Sequence, residues 1–382
     1  MMEIAFVNGD VYLNRAWARD VVVCVEQGRI VQAHAGVSEH GNEADEVVDL
    51  EGGLLVPGFI DVQVNGGGGV LLNDAPTRQG IATIASAHAR FGTTGLLPTL
   101  ISATPDVIAR GLDATDEAIA LGVPGCIGIH VEGPVLNAKR RGIHSENHLR
   151  KLDDEMVDLL VRPRAGKVLF TIAPEYLHAD QAKALIDAGV VLAMGHSDAD
   201  YETARAAFDM GVTGVTHLFN AMSGLHHRNP GMVGAALENR SAWCGLIADG
   251  YHVHPAAMRV ALASRPLDRF VLVTDAMSCV GSDQTSFELD GREIVVADGR
   301  CVGADGTLAG ASLDMAAAVR NAVEMAGLSV AQAVDMASVQ PAEFLGLASE
   351  RGVIAAGRSA DFVRLDRAMA PQATWIAGER VF

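Results

Sequence analysis

Histidine, glutamate and aspartate recur in this chain directly after short apolar runs. Glu132 follows His130-Val131, and His196 opens the stretch Gly195-His196-Ser197-Asp198. His217 lies in Thr216-His217-Leu218-Phe219-Asn220, Asp249 and His252 in Ala248-Asp249-Gly250-Tyr251-His252, and Asp275 after Val273-Thr274. One histidine at such a place is ordinarily a satisfied structural residue, but five runs ending this way together are not explained by packing. Imidazole and carboxylate without thiolate suit Zn²⁺ or Fe²⁺, and a catalytic site commonly takes three protein ligands and leaves a position for water. Glu132, His196 and His217 form such a set. Their separations of 64 and 21 residues exclude a local helical motif, so the set works only if a fold brings distant strand ends together. Asp275 is placed to take a proton from water and return it to a leaving amine; read without its neighbours it is equally an ordinary helix-capping aspartate. His144, twelve residues beyond Glu132, is within loop reach of the same point and would polarise a carbonyl oxygen, or else is a surface histidine.

The elements required are present in the pattern. From residue 54 onward, eight runs rich in Val, Ile and Leu alternate with Ala-rich segments of helical period: Leu54–Val64, Gly95–Leu100, Cys126–Val131, Val168–Ala173, Val190–Met194, Gly214–Leu218, Cys244–Ala248 and Phe270–Thr274. Eight βα units predict a (β/α)8 barrel, whose C-terminal strand ends form the reactive face, with a doubly wound open sheet as the alternative. Residues 1–53 and 351–382 instead alternate like short strands and predict one small β-sandwich domain built from both chain ends, leaving 54–350 as the barrel. Asp290-Gly291 and Asp298-Gly299 mark turns of a β-hairpin insert over 286–302.

With 29 basic and 47 acidic residues among 382, the chain carries a net charge of −18, which repels phosphate backbones and weighs against nucleic acid as a partner. An anionic substrate needs a local cation, and His226-His227-Arg228-Asn229 beside the sixth run offers one; Arg228 could grip a phosphate through two parallel N–H groups or close a loop ion pair. Lys139-Arg140-Arg141 reads as a solvated face. Gly66–Gly69 lacks the GxxxxGK[ST] and GxGxxG contexts of nucleotide loops, so a nucleotide-binding α/β protein is a weak rival. The five cysteines are scattered and form no CxxC, pointing to a reducing compartment. The N-terminal residues do not read as a secretory leader, no stretch suits a membrane span, and a cytoplasmic location is expected.

Several stretches resemble a known family. PGFID (57–61), HVEGPVLNAKRRGIH (130–144), MGHSDADY (194–201), VTHLFNAM (215–222), RNPGMVGAAL (228–237), IADGYHVHP (247–255), LVTDAM (272–277), TLAGASLDM (307–315) and GVIAAGRSADFVRLD (352–366) together are similar to the N-acetylglucosamine-6-phosphate deacetylases of the amidohydrolase superfamily. The resemblance implies a barrel with a small β-sandwich and hydrolysis of the N-acetyl group of N-acetylglucosamine 6-phosphate to glucosamine 6-phosphate and acetate. It makes Glu132, His196 and His217 the ligands of one divalent metal ion, Zn²⁺ or alternatively Fe²⁺, Asp275 the general base and acid, and His144 the carbonyl-orienting group. It assigns substrate contacts to Ile143, His144, Asn220, Ala221, Arg228 and His252, with Asp249 nearby and Leu308, Ala309 and Gly310 flanking the acetyl end, and it implies a homodimer. Gln63 and Asn65 stand where many amidohydrolases carry the His-x-His of a second metal, so they are read as vestigial second-metal positions. No strand-end lysine is available as a carbamylated bridge, the four lysines being Lys139, Lys151, Lys167 and Lys183. Two rival readings keep the fold and change the function: deacetylation of the galactosamine epimer, and a non-catalytic scaffold.

Overall fold

The computed structural model describes residues 3–35 and 44–382. Eight parallel strands lie side by side in chain order: β1 (Phe59–Val64), β2 (Thr93–Ile101), β3 (Gly128–Glu132), β4 (Lys167–Ile172), β5 (Val191–Met194), β6 (Gly214–Val215), β7 (Trp243–Ile247) and β8 (Phe270–Val273). The ring closes where Val64 bridges Ala276 and the Asp275 N–H donates to the Gln63 carbonyl at 3.0 Å. Every residue of β1, β2, β3, β7 and β8 is buried, as expected of strands covered on both faces.

A helix follows each strand: α1 (Arg78–Ala89), α2 (Pro105–Ala120), α3 (Asp154–Leu160), α4 (Ala179–Asp187), α5 (Tyr201–Asp209), α6 (Gly231–Glu238), α7 (Pro255–Ser264) and α8 (Met315–Ala326). Their starts follow local chemistry. Thr77, Asp153, Asp200 and Asp314 each accept an N–H of the first turn, and proline occupies the first turn of α2 and α7, where no donor is lost. The (β/α)8 barrel therefore holds, and the open sheet does not.

Two of the expected strands are shorter than their apolar runs. Leu54–Val64 divides at Gly58, where a side chain would meet Thr94 and where the N–H is given to the Asp361 carbonyl. Leu54–Pro57 consequently joins the outer sheet, between Asp10–Leu13 and Phe362–Leu365, and there the two chain ends meet in one layer. A second sheet, formed by Arg29–Ala35, Val21–Glu26, Glu3–Val7 and Glu46–Asp49, shares a core with it in which Phe6 meets Phe362 and Trp375 edge to face. Gly214–Leu218 ends as a strand at Val215, because His217 takes a left-handed conformation (φ 31°). The insert is larger than a hairpin: four antiparallel strands run from Ser286 to Ala311, the first three joined by the expected Asp-Gly turns, in which Asp290, Gly291, Asp298 and Gly299 all have positive φ.

Candidate active site and metal centre

The strand ends converge on a cavity of about 360 Å³. Three residues that turn side chains toward it leave their strands through left-handed backbone: His196 (φ 48°), His217 (φ 31°) and Asp275 (φ 52°). Such conformations are costly for residues with a Cβ and persist where surrounding bonds over-determine them, a pattern concentrated at functional sites.

Glu132, His196 and His217 come together as the sequence reading requires. Glu132 Oε1 lies 3.3 Å from His196 Nε2 and 3.1 Å from His217 Nε2, and the two imidazole nitrogens are 3.0 Å apart. Among the described residues this is the one group of three or more metal-ligating side chains, all buried, with ligand atoms within 4.8 Å of one another. The hydrogen bonding tests whether a cation fits. His196 Nδ1 must donate to the Arg140 carbonyl at 2.9 Å, so its Nε2 offers a lone pair; that lone pair faces a second imidazole nitrogen and a carboxylate oxygen. Two imidazoles with a buried carboxylate suit a divalent transition metal, and His217 Nδ1, buried without a partner among the described residues, leaves that ring free to hold its proton there and turn a lone pair at Nε2 toward the group.

Asp275 stands beside this group under opposite influences. Burial and the charge of Glu132 raise its pKa, the direction wanted in a carboxylate that must both take and return a proton. Asn65 Nδ2 donates to its Oδ1 at 2.6 Å and Gln63 Nε2 at 3.2 Å, while Gln63 Nε2 also reaches Glu132 Oε1 at 3.0 Å. Gly310 passes so close that a Cβ there would lie 2.7 Å from the Asp275 carbonyl. Beneath Asp275, buried Asp61 accepts from Thr274 Oγ1 at 2.5 Å, and burial pushes its carboxyl up to about 7.

His144 is not on the surface. It is 2 % exposed, with Nε2 3.8 Å from Glu132 Oε2. Its Nδ1 accepts the Ser102 backbone N–H at 3.2 Å, so the neutral ring carries its proton on Nε2; burial, followed by the nearby His196, pushes its pKa well down and keeps it neutral. A neutral imidazole with a fixed N–H is suited to donating to a carbonyl oxygen. His252 is set comparably: Nδ1 donates to Asp249 Oδ2 at 2.6 Å, leaving Nε2 for the cavity. Burial would raise the Asp249 carboxyl, but the His252 ring and the N–H groups of Tyr251 and His252 hold it below the usual range.

Of the anticipated residues, Asn65, Glu132, Ile143, His144, His196, His217, Asn220, Ala221, His252, Asp275, Leu308 and Gly310 line the cavity. Gln63, Asp249, Ala309 and Arg228 do not. Gln63 and Asp249 act through Asp275 and His252, Ala309 is fully buried in its strand, and Arg228 is exposed in the loop before α6. The cavity cations are instead Lys139 and Arg140, from the basic triplet read as a solvated face; Arg140 Nε bonds Asp198 Oδ1 at 2.9 Å, and its carbonyl orients His196. Their one sequence signal was lying between Glu132 and His144. Gly66–Gly69 is no phosphate cradle: the N–H groups of Gly66, Gly68 and Gly69 are consumed by the carbonyls of Ala276, Val280 and Ser278.

A (β/α)8 barrel carrying a buried Glu-His-His group and a carboxylate after its last strand has the architecture of a metal-assisted barrel hydrolase. Residues 54–381 match the model of the amidohydrolase family, and the chain belongs to that family. It is 45% identical to the N-acetylgalactosamine-6-phosphate deacetylase of Shewanella sp. (strain ANA-3) over 335 residues, 87% of this chain and 84% of the relative. With the human N-acetylglucosamine-6-phosphate deacetylase the identity is 38% over 374 residues, 94% and 90% of the two chains. The crystal structure of N-acetylglucosamine-6-phosphate deacetylase from Pasteurella multocida superposes with a TM-score of 0.94 at 30% identity, covering 99% of both.

Proposed function

We propose that the protein hydrolyses the N-acetyl group of N-acetylglucosamine 6-phosphate, releasing glucosamine 6-phosphate and acetate. The observation that carries this reading is the convergence of Glu132, His196 and His217 beside Asp275 and a neutral His144 in one cavity. The names of its relatives supply the substrate class. One divalent ion per chain, zinc before iron, is held by Glu132, His196 and His217 in this reading; when bound, such an ion makes water nucleophilic near neutral pH and polarises a carbonyl.

The chain's own residues perform the remaining steps. Asp275 Oδ2 accepts a proton from the attacking water, and the water oxygen bonds to the acetyl carbon. The Nε2–H of His144 donates to the carbonyl oxygen as it gains charge. When the C–N bond breaks, Asp275 returns the proton to the departing amine, so atoms and charge balance. Asn220, Ala221 and His252, with Lys139 and Arg140, orient the phosphosugar, and Leu308 and Gly310 flank the acetyl group. Arg228→Ala tests the phosphate role assigned to Arg228, since an unchanged KM for the phosphosugar removes it. The reading includes a cytoplasmic homodimer and treats 1–53 with 351–382 as one folding unit beside the 54–350 barrel, with the first strand of that stretch, Leu54–Pro57, lying in the outer sheet.

Acetate release from N-acetylglucosamine 6-phosphate, its galactosamine epimer and unphosphorylated N-acetylglucosamine, on protein of known metal content, tests the reading. Release confined to the glucosamine phosphate at about one metal per chain supports it. Preference for the galactosamine epimer, which the 45% relative brings into the comparison, would move the substrate and keep the chemistry. Silence toward all three by metal-loaded protein would end the proposal.

A further inference from the structure

We infer that Asn65 is a positioning residue for Asp275, holding that carboxylate so that one oxygen is fixed and the other is free to work. The inference rests on the reading of Asp275 as the proton carrier. Two amide donors, Asn65 Nδ2 at 2.6 Å and Gln63 Nε2 at 3.2 Å, converge on the same oxygen, Asp275 Oδ1. Asp275 Oδ2 receives no hydrogen bond from the described residues. The main chain is held as well: the Asp275 N–H donates to the Gln63 carbonyl at 3.0 Å, and its own carbonyl accepts the Ala311 N–H at 2.8 Å. Backbone and side chain of Asp275 are thus both referenced to β1, across the seam that closes the barrel.

The chemistry of an amide explains why this position holds one. Facing a carboxylate, Asn65 must present its NH₂ end, which leaves Oδ1 pointing elsewhere; that oxygen is buried and finds no partner among the protein groups. Leaving a buried acceptor unpaired is unfavourable, and an alanine or leucine here would avoid it. Its donor therefore accounts for the residue. Gln63 does a different task, because its Nε2 also bonds Glu132 Oε1 at 3.0 Å and so ties the Glu-His-His group to the proton carrier. The pair that stands at the second-metal positions thus forms a hydrogen-bonding clamp.

Asn65→Leu, of similar size but without a donor, separates this role from a packing role. The expected result is a kcat lowered about 10²-fold, the order expected for slight misplacement of a reacting group, with KM within about twofold, and with metal content and Tm unchanged. Crystals of the variant should show the Asp275 carboxylate rotated from its present position. If the leucine does not fold, Asn65→Ala is read by the same measures. A kcat within about twofold of wild type, a loss confined to KM, loss of metal, or an unmoved Asp275 carboxylate would each overturn the inference. Wild-type protein inactive on every phosphosugar would overturn the proposed function instead, and the crystals of the variant would still decide the positioning role.

Discussion

Four side chains of the cavity have one atom committed to the protein and one left over, whereas the buried Nδ1 of His217 finds no partner among the described residues. His196 gives Nδ1–H to the Arg140 carbonyl, His144 receives Ser102 at Nδ1, His252 gives Nδ1–H to Asp249, and Asp275 accepts two amides at Oδ1. Commitment of one end settles the tautomer and direction of the other, and this arrangement makes buried imidazoles usable. Asp275→Asn keeps the shape and hydrogen-bonding capacity but cannot take a proton. Its kcat is expected to fall about 10³-fold with metal content unchanged, within the usual range for a general acid–base, as steady-state kinetics and metal analysis would show. In the proposed reading Glu132→Ala removes a metal ligand rather than a proton carrier, so it should lose metal and activity together. A chelator should do the same to wild type, reversibly on adding Zn²⁺ back.

At the scale of elements, the fourth strand contributes no lining residue and still shapes the site. Glu175, in the turn after β4, accepts from Asn137 Nδ2 at 2.7 Å and from Ser197 Oγ at 2.5 Å, so it fastens the loop that carries Arg140 and His144 to the end of β5. Glu175→Ala should release that loop, visible as faster amide exchange over 137–144 and a kcat/KM lowered about tenfold. On the other side of the barrel, His88 in the last turn of α1 donates Nε2–H to the Gly66 carbonyl at 2.9 Å, and burial depresses its pKa from 6.5 to about 4. The unfolded chain then binds more protons than the folded one between these values, so stability is lost as pH falls from about 6.5 to about 4. The full effect is on the order of 3 kcal/mol for one such group. His88→Gln, which keeps a donor and does not titrate, should flatten the fall in Tm between pH 7 and pH 4.5. The strands themselves were legible in the sequence because each is a short apolar run, several of them stopping at a polar residue, as at Val273-Thr274-Asp275. Glu175, Ser102 and the cavity role of Arg140 were not, since each acts through a loop path that no local pattern encodes. Gln63 and Asn65 were legible by position, but not their hydrogen bonds to Asp275, because a donor's target is a tertiary fact.

For the whole molecule the question is how a chain of net charge −18 admits a phosphorylated sugar. At about 0.15 M ionic strength charges are screened beyond roughly 8 Å, so the overall field fades away from the surface and what the anion meets at the mouth decides its capture. The lining there includes Lys139 and Arg140, both paired to Asp198, with Lys139 Nζ 3.7 Å and Arg140 Nε 2.9 Å from its oxygens. Asp198 partly offsets both cations, and the Lys139 side chain is 80% exposed, so its share in binding a phosphate falls in the range of exposed ion pairs, about 0.2–1 kcal/mol. That converts to at most about fivefold in affinity. Lys139→Gln should therefore lower kcat/KM for the phosphosugar by about 1.4- to fivefold, leave the unphosphorylated sugar unchanged, and lose most of its effect in high salt. A much larger loss would mean that Lys139 is desolvated by the bound phosphate, as happens if the loop from Glu132 to His144 closes over the substrate. No loss at all would leave recognition of the anion to Arg140 and the neutral donors of Asn220 and Ala221.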